Sequence, residues 1–254
     1  MSVKILGVIP ARFASLRLPG KPLLPILGKS LLQRTFENAK KATLLDKLLI
    51  ATDHEGIFDH AFSFGGEVIM TPQNCMNGTD RIAFLLQERP DLLQADAIVN
   101  IQGDDPCIDP LSIEKAVHLL LEDPLASMAT IITPLKSEED ALNPSIVKCV
   151  KDLNDNALYF SRALIPSNKK QAFSFQSPYF QHIGLYVYRP EFLLRYLSLK
   201  ASPLQLEEDL EQLKALEYGY RIKVAMTDYS GTGVDTPEDL IKLEKWLCAQ
   251  NSSL

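Results

Sequence analysis

A chain of 254 residues, 46% hydrophobic and 23% charged, is long enough for one large α/β domain or two small ones, with a substantial apolar core in either case. Its net charge of -6 excludes a protein that coats nucleic acid or an anionic membrane, since either demands a dense basic patch; local cations are therefore expected to bind something small. Cys75, Cys107, Cys149 and Cys248 form no CxxC pair, which excludes zinc-ligand and redox spacing and points to reduced thiols in a cytoplasmic protein.

Apolar runs at Val3 to Ile9, Lys47 to Thr52, Glu67 to Met70, Ala97 to Gln102 and Ala126 to Thr133 predict strands. Between them, Leu31 to Lys41, Glu55 to Phe64, Asp80 to Arg89 and Ser112 to Leu121 carry apolar residues at three- and four-residue spacing, which predicts crossover helices on a layered α/β sheet. After Pro134 the rhythm changes. Val147 to Lys151, Ala157 to Phe160 and His182 to Tyr188 read as strands of an inserted β-rich lobe, with a polar stretch from Ser167 to Ser177. The chain then returns to α/β with a helix over Leu206 to Tyr218, a strand over Ile222 to Thr227 and a terminal helix opened by Thr236-Pro237-Glu238-Asp239. The expected organisation is a core over 1–134, a lobe over 135–205 and a return to the core over 206–254. No run approaches ~18 consecutive apolar residues, so no membrane segment is predicted.

The first strand runs into Pro10 to Lys21, a loop carrying Arg12, Arg17 and Lys21 with Gly20 beside them. Ligands of open α/β sheets bind beyond the carboxyl ends of strands, and three cations there suit a polyanion; the alternative is a solvated loop. Gly28-Lys29-Ser30 is not a P-loop, because Leu23 stands where that motif needs its first glycine. Asp104 lies in the turn after the strand Ala97 to Gln102, where a carboxylate can hold Mg²⁺ or simply serve the turn. Asp235 follows Gly231-Thr232-Gly233-Val234 and reads either as a second metal carboxylate or as a helix cap, a task Thr236 can also perform. Thr79 and Arg81 open a helix that Asp80 is a candidate to cap, and His54 is read as satisfying backbone groups.

VIPARFASLRLPGKPL at the start resembles the signature of the 3-deoxy-manno-octulosonate (Kdo) cytidylyltransferases, within the sugar nucleotidyltransferases. ATDHE, NGTDRI, QGDDP, ALYFSRALIP, HIGLYVYR, LEQLKALEYG and GTGVDTPEDL continue the resemblance in family order over nearly the whole chain. It implies a Rossmann-like nucleotidyltransferase core with mixed sheet, interrupted by the β-rich lobe for sugar binding and homodimer formation. It also implies transfer of CMP from CTP to the anomeric hydroxyl of Kdo, which activates this acid sugar for lipopolysaccharide biosynthesis. Arg12, Arg17, Lys21, Thr79, Arg81 and Gln102 are then expected at the nucleotide, with Arg12, Lys21, Asp104 and Asp235 catalytic and Mg²⁺ on the two aspartates. Arg162, His182, Tyr186, Glu211 and Gln212 offer the cation, donors and acceptors an acid sugar needs; Arg162 and His182 taken singly read more readily as structural hydrogen-bonders, and the resemblance reverses that reading. The sequence departs from the family pattern at Leu16, at Asp105 and at Asp155-Asn156. The rival readings are a cytidylyltransferase for another acid sugar such as sialate, and a non-catalytic nucleotide-binding regulator.

Overall fold

The computed structural model describes residues 4–14, 18–75, 77–170, 173–174, 176–231 and 233–251. The chain divides into two compact units, 1–111 with 231–254, and 112–230.

In the first unit, β1 (Ile5–Ala11), β2 (Lys47–Thr52), β3 (Glu67–Met70) and β4 (Ala97–Asn100) alternate with α1 (Leu31–Ala39), α2 (Glu55–Ser63) and α3 (Gly78–Glu88). The strands pair in parallel in the order β4-β1-β2-β3. Burial on both faces explains why β1 reads as a continuous apolar run without alternation: Ile5, Leu6, Val8 and Ile9 are all buried. Each such side chain contributes roughly 1.5–3 kcal/mol relative to exposure. The helices start where short polar residues accept backbone N–H groups. Ser30 accepts from Gln33, His54 Nδ1 from Gly56, and Asn77 from Asp80. Asn77, and not Asp80, is therefore the cap of α3. His54 does what the sequence suggested, and its ring also stacks on Phe13 at 4.1 Å.

The decisive feature is strand order. The chain lays β1, β2 and β3 outward in one direction and then places β4 on the other side of β1. Successive connections therefore diverge between β1 and β4, and the carboxyl ends of these two strands form the crevice where open α/β sheets bind ligands.

The second unit is entered within α4 (Pro110–Glu122). It contains β5 (Ala126–Pro134), β6 (Lys148–Lys151), β7 (Ala157–Ser161) and β8 (Phe180–Tyr188), then α5 (Pro190–Ser198), α6 (Pro203–Glu208), α7 (Glu211–Glu217) and β9 (Arg221–Met226). Its sheet runs β9-β5-β8-β6-β7, with β9 parallel to β5 and the other pairs antiparallel. The expected boundaries at 134 and 205 both fall inside this unit. Their displacement has a pairing cause: β5 and β9 read as core strands, but β5 hydrogen-bonds β8 and β9 hydrogen-bonds β5. The chain returns to the first unit with α8 (Pro237–Asn251).

Two local expectations change. The helix over Leu206 to Tyr218 is broken into α6 and α7 by Asp209, whose φ of 51° is left-handed, and α5 was not expected at all. At the β6-β7 turn, Asp155 also has a left-handed φ of 60°, where glycine would be unstrained. Asp152 holds that turn by accepting from the Asn154 and Asn156 backbones, and Lys151 pairs with Asp155 at 2.6 Å.

Candidate active site

The loop after β1 is closed by its backbone. Gly20 donates to the Phe13 carbonyl at 3.1 Å and needs a left-handed φ of 68° to do so. The short 3₁₀ turn Lys21–Leu23 follows, anchored by buried Pro22. Arg12 is exposed immediately beyond β1. Arg17 and Leu16 lie outside the described residues, as does Thr232.

The turn after β4 passes close to the end of β1. A Cβ on Gly103 would lie 2.9 Å from the Pro10 carbonyl oxygen, so only glycine fits without displacement. From α1, Thr35 donates to the Gly103 carbonyl and Asn38 to that of Pro106. The segment preceding α8 is placed by packing. Val234 is fully buried with Ile26, Leu31 and Leu243, and its N–H donates to the Asp104 carbonyl at 3.0 Å. The capping question at Asp235 is resolved: Thr236 and Asp239 form a reciprocal cap, in which Thr236 Oγ1 accepts from the Asp239 N–H and the Asp239 carboxylate accepts from the Asp235 and Thr236 backbones. The Asp235 side chain is thereby directed elsewhere.

It meets Lys21. The Lys21 Nζ donates to Asp104 Oδ2 at 2.5 Å and to Asp235 Oδ1 at 3.0 Å, across 83 and 214 residues of sequence. Two carboxylate oxygens that already converge on one cationic atom form a hard-oxygen pair suited to a divalent ion such as Mg²⁺. Among the described residues no cluster of three or more His, Cys, Asp or Glu gathers, so substrate phosphates and water must complete such an ion's coordination.

The other nucleotide-side candidates lie in the turn that carries Asp104 and on α3. Gln102 and Asp105 form the turn, where the Asp105 N–H donates to the Gln102 carbonyl. Thr79 is buried in the first turn of α3. Arg81 is only 2% exposed. Its guanidinium donates to Asp53 at 2.6 Å, to the Thr71 hydroxyl and to the Pro72 carbonyl, so it braces the segment leading to α3 from inside. Asp53 and Thr71 were not singled out in the sequence. A periodic pattern marks Asp53 only as a strand-end residue, and nothing local marks it as the partner of a side chain on α3.

The acid-sugar candidates all belong to the second unit. A register shift between Ile183 and Tyr186 interrupts the β8-β5 pairing and frees carbonyls there for Thr130. The Thr130 hydroxyl donates to the Leu185 carbonyl at 2.7 Å, so its oxygen accepts from His182 Nε2 at 2.9 Å. Burial depresses the His182 pKa to about 3 and holds the ring neutral, as a hydrogen-bond donor and not a cation. Tyr186 lies 5.4 Å from that ring and donates to Gln212 Oε1 at 3.0 Å, while the buried Gln212 Nε2 has no hydrogen-bond partner among the described residues. Glu211 is the neighbouring residue on α7, and its carbonyl accepts from Tyr196.

Arg162 is held by backbone. Its Nε, Nη1 and Nη2 donate to the carbonyls of Glu208, Pro144 and Asp209, and the nearest salt-bridge carboxylate is exposed Asp209 at 3.9 Å. Two unanticipated residues support it. Glu208 accepts from the Arg162 N–H and the Ser161 hydroxyl, and these bonds outweigh burial to keep its pKa below the usual range. Fully buried Lys148 donates to the carbonyls of Asn143, Ile146 and Arg162, with burial pulling its own pKa down.

The neutral histidine predicts a pH effect on stability. With a folded pKa near 3 against 6.5 when unfolded, the unfolded chain binds more protons between these values, so stability falls as pH drops through 6.5. The slope is about 1.4 kcal/mol per pH unit at most. Urea unfolding at pH 6.5 and pH 5 should show a loss in the native protein exceeding that of His182→Gln by about 1.6 kcal/mol. Equal losses in both would mean that His182 titrates normally.

A cation loop and paired carboxylates at the β1/β4 crevice of a parallel sheet are the equipment of a nucleotidyltransferase. The cytidylyltransferase family matches residues 6–222. The 3-deoxy-manno-octulosonate cytidylyltransferase of Protochlamydia amoebophila is 59% identical over 100% of this chain and 98% of its own length. The mitochondrial enzyme of that name from Arabidopsis thaliana is 46% identical over 98% of this chain and 85% of its own. The solved structure of CMP:2-keto-3-deoxy-manno-octonic acid synthetase complexed with CTP superposes with a TM-score of 0.90 at 35% identity, covering 97% of this chain and 99% of that one. The chain therefore belongs to the cytidylyltransferase family, in its 3-deoxy-manno-octulosonate branch. Among the described residues, no helix is long and apolar enough to cross a membrane.

Proposed function

We propose that this enzyme transfers CMP from CTP to the anomeric hydroxyl of Kdo, releasing pyrophosphate and supplying CMP-Kdo for lipopolysaccharide biosynthesis. The reading is supported above all by the convergence of Lys21, Asp104 and Asp235 at the β1/β4 crevice, in a chain whose relatives carry that activity in their names.

In this reading the sugar oxygen forms a bond to the α-phosphorus as the bond to the departing pyrophosphate breaks and the hydroxyl proton is lost. Asp104 and Asp235 would hold Mg²⁺. When bound, the ion supplies Lewis acidity and charge neutralisation at the α-phosphate. Arg12, Arg17 and Lys21 bind the triphosphate and stabilise the charge that builds on pyrophosphate. Arg81 acts indirectly, by holding the segment before α3 against Asp53. Gln102 and Thr79 line the nucleotide's surroundings. On the sugar side, Arg162 meets the Kdo carboxylate, and His182, Tyr186, Glu211 and Gln212 serve its hydroxyls; the unpartnered Gln212 Nε2 is a donor in search of such an acceptor. The working state is a cytoplasmic homodimer.

The test is pyrophosphate release with each of the four nucleoside triphosphates, with and without Kdo. Release is expected only with CTP and Kdo together. Release independent of Kdo, or equal for all four nucleotides, defeats the reading.

A further inference from the structure

We propose that Lys21 is a built-in counter-ion of the metal site: its ammonium and a divalent ion compete for the same two carboxylates, so nucleotide admits the ion by drawing Lys21 away. This rests on the reading of Asp104 and Asp235 as metal carriers and assigns Lys21 a second role beside triphosphate binding.

The geometry leaves little room for both cations. The ammonium lies at hydrogen-bonding distance from both carboxylates, at 2.5 and 3.0 Å. A magnesium ion bound to the same oxygens sits about 2.1 Å from each and so falls within the space the ammonium holds. The lysine side chain is 12% exposed, against 31% and 47% for Asp104 and Asp235, so the cation is the inner member of the trio. Without a cation between them, the two carboxylates would repel each other, and Lys21 answers that repulsion from within the chain.

The same lysine is built to leave. Its backbone is fixed by the left-handed turn at Gly20 and by buried Pro22, whereas its four-carbon stem lets Nζ move without shifting the main chain. A triphosphate bound along the loop offers the ammonium a denser negative charge than two aspartates do. Once Nζ turns to the phosphates, the pair is exposed to a divalent ion. By linkage, nucleotide then raises metal affinity and metal raises nucleotide affinity by the same factor. An enzyme arranged in this way holds little metal at rest and assembles its catalytic charges only around substrate.

The test reads the metal alone. Mn²⁺ binding to the full chain without nucleotide, followed by the electron paramagnetic resonance of free Mn²⁺, should be weak in the native protein and about tenfold or more tighter in Lys21→Met, within the span of ordinary couplings. Adding Asp104→Asn to Lys21→Met should abolish the tightened site. If Lys21→Met folds less well, the thermal midpoint gives the same answer, because Mn²⁺ should raise it far more in that variant than in the native protein. Lys21→Met binding Mn²⁺ no more tightly than the native protein, with no larger midpoint shift, overturns the competition. In that event the metal reading still stands if Asp104→Asn weakens Mn²⁺ binding to the CTP-loaded protein. If Asp104→Asn leaves that binding unchanged, both ideas fall.

Discussion

Replacing either Asp104 or Asp235 with Asn should lower turnover by about a hundredfold or more, equivalent to roughly 2.7 kcal/mol of transition-state stabilisation. Asparagine keeps the shape and can still accept a hydrogen bond from Lys21, but each replacement removes half of the negative charge that would hold a divalent ion. The fold should survive, because backbone bonds that the change leaves in place help to position both residues. Asp104 is tied through its carbonyl to Val234, and Asp235 through its N–H to Asp239. The measurement is pyrophosphate release at saturating CTP, Kdo and Mg²⁺, with the thermal midpoint as a control for folding. Near-normal turnover in either variant would move the metal elsewhere.

The second large effect is expected on the sugar side. Kdo carries a carboxylate beside its attacking hydroxyl, so a fixed guanidinium both selects the acid and orients the nucleophile. Arg162 is fixed by three bonds to carbonyls, which orient its fork without neutralising it as a carboxylate would. Arg162→Ala should therefore raise the KM for Kdo by about 10- to 100-fold, corresponding to loss of a hydrogen bond to a charged group, and lower kcat as well. The same change frees the carbonyls of Pro144, Glu208 and Asp209 and costs some stability. Directly titrated CTP binding separates the two effects and should stay close to that of the native enzyme. Loss of CTP binding with unchanged Kdo saturation would place Arg162 on the nucleotide side.

The strands and helices of the first unit were legible in the sequence because each is set by local pattern: apolar runs for β1, β2 and β4, three- and four-residue spacing for α1 to α3, and short polar residues at their starts. The loop from Arg12 to Lys21 reads as a candidate anion site for the same local reason, with cations and a glycine directly after a strand. Errors gathered where a local signal had two solutions. Leu206 to Tyr218 has helical composition throughout, but Asp209 turns left-handed and its carbonyl accepts from Arg162, a residue more than forty positions earlier. Arg81 is a nucleotide candidate by resemblance alone, and no local pattern announces that its guanidinium pairs with Asp53, just past the end of β2. The unit boundaries moved because β5 and β9 pair with each other and β8 joins β5, and a strand's composition does not record its neighbour.

By itself, then, the sequence determined most of the elements, Thr236 as a candidate cap, the charge of the first loop and, through matching blocks spread along the chain, the family. Only the tertiary structure decided that Lys21, Asp104 and Asp235 meet, and that the ammonium lies between the carboxylates. That meeting depends on β4 pairing beside β1 and on Val234 burying itself against Ile26 and Leu31. Hydrogen-bonded pairing and apolar burial act between segments brought together by folding, over separations as long as 214 residues, where no periodicity or propensity in the sequence can reach.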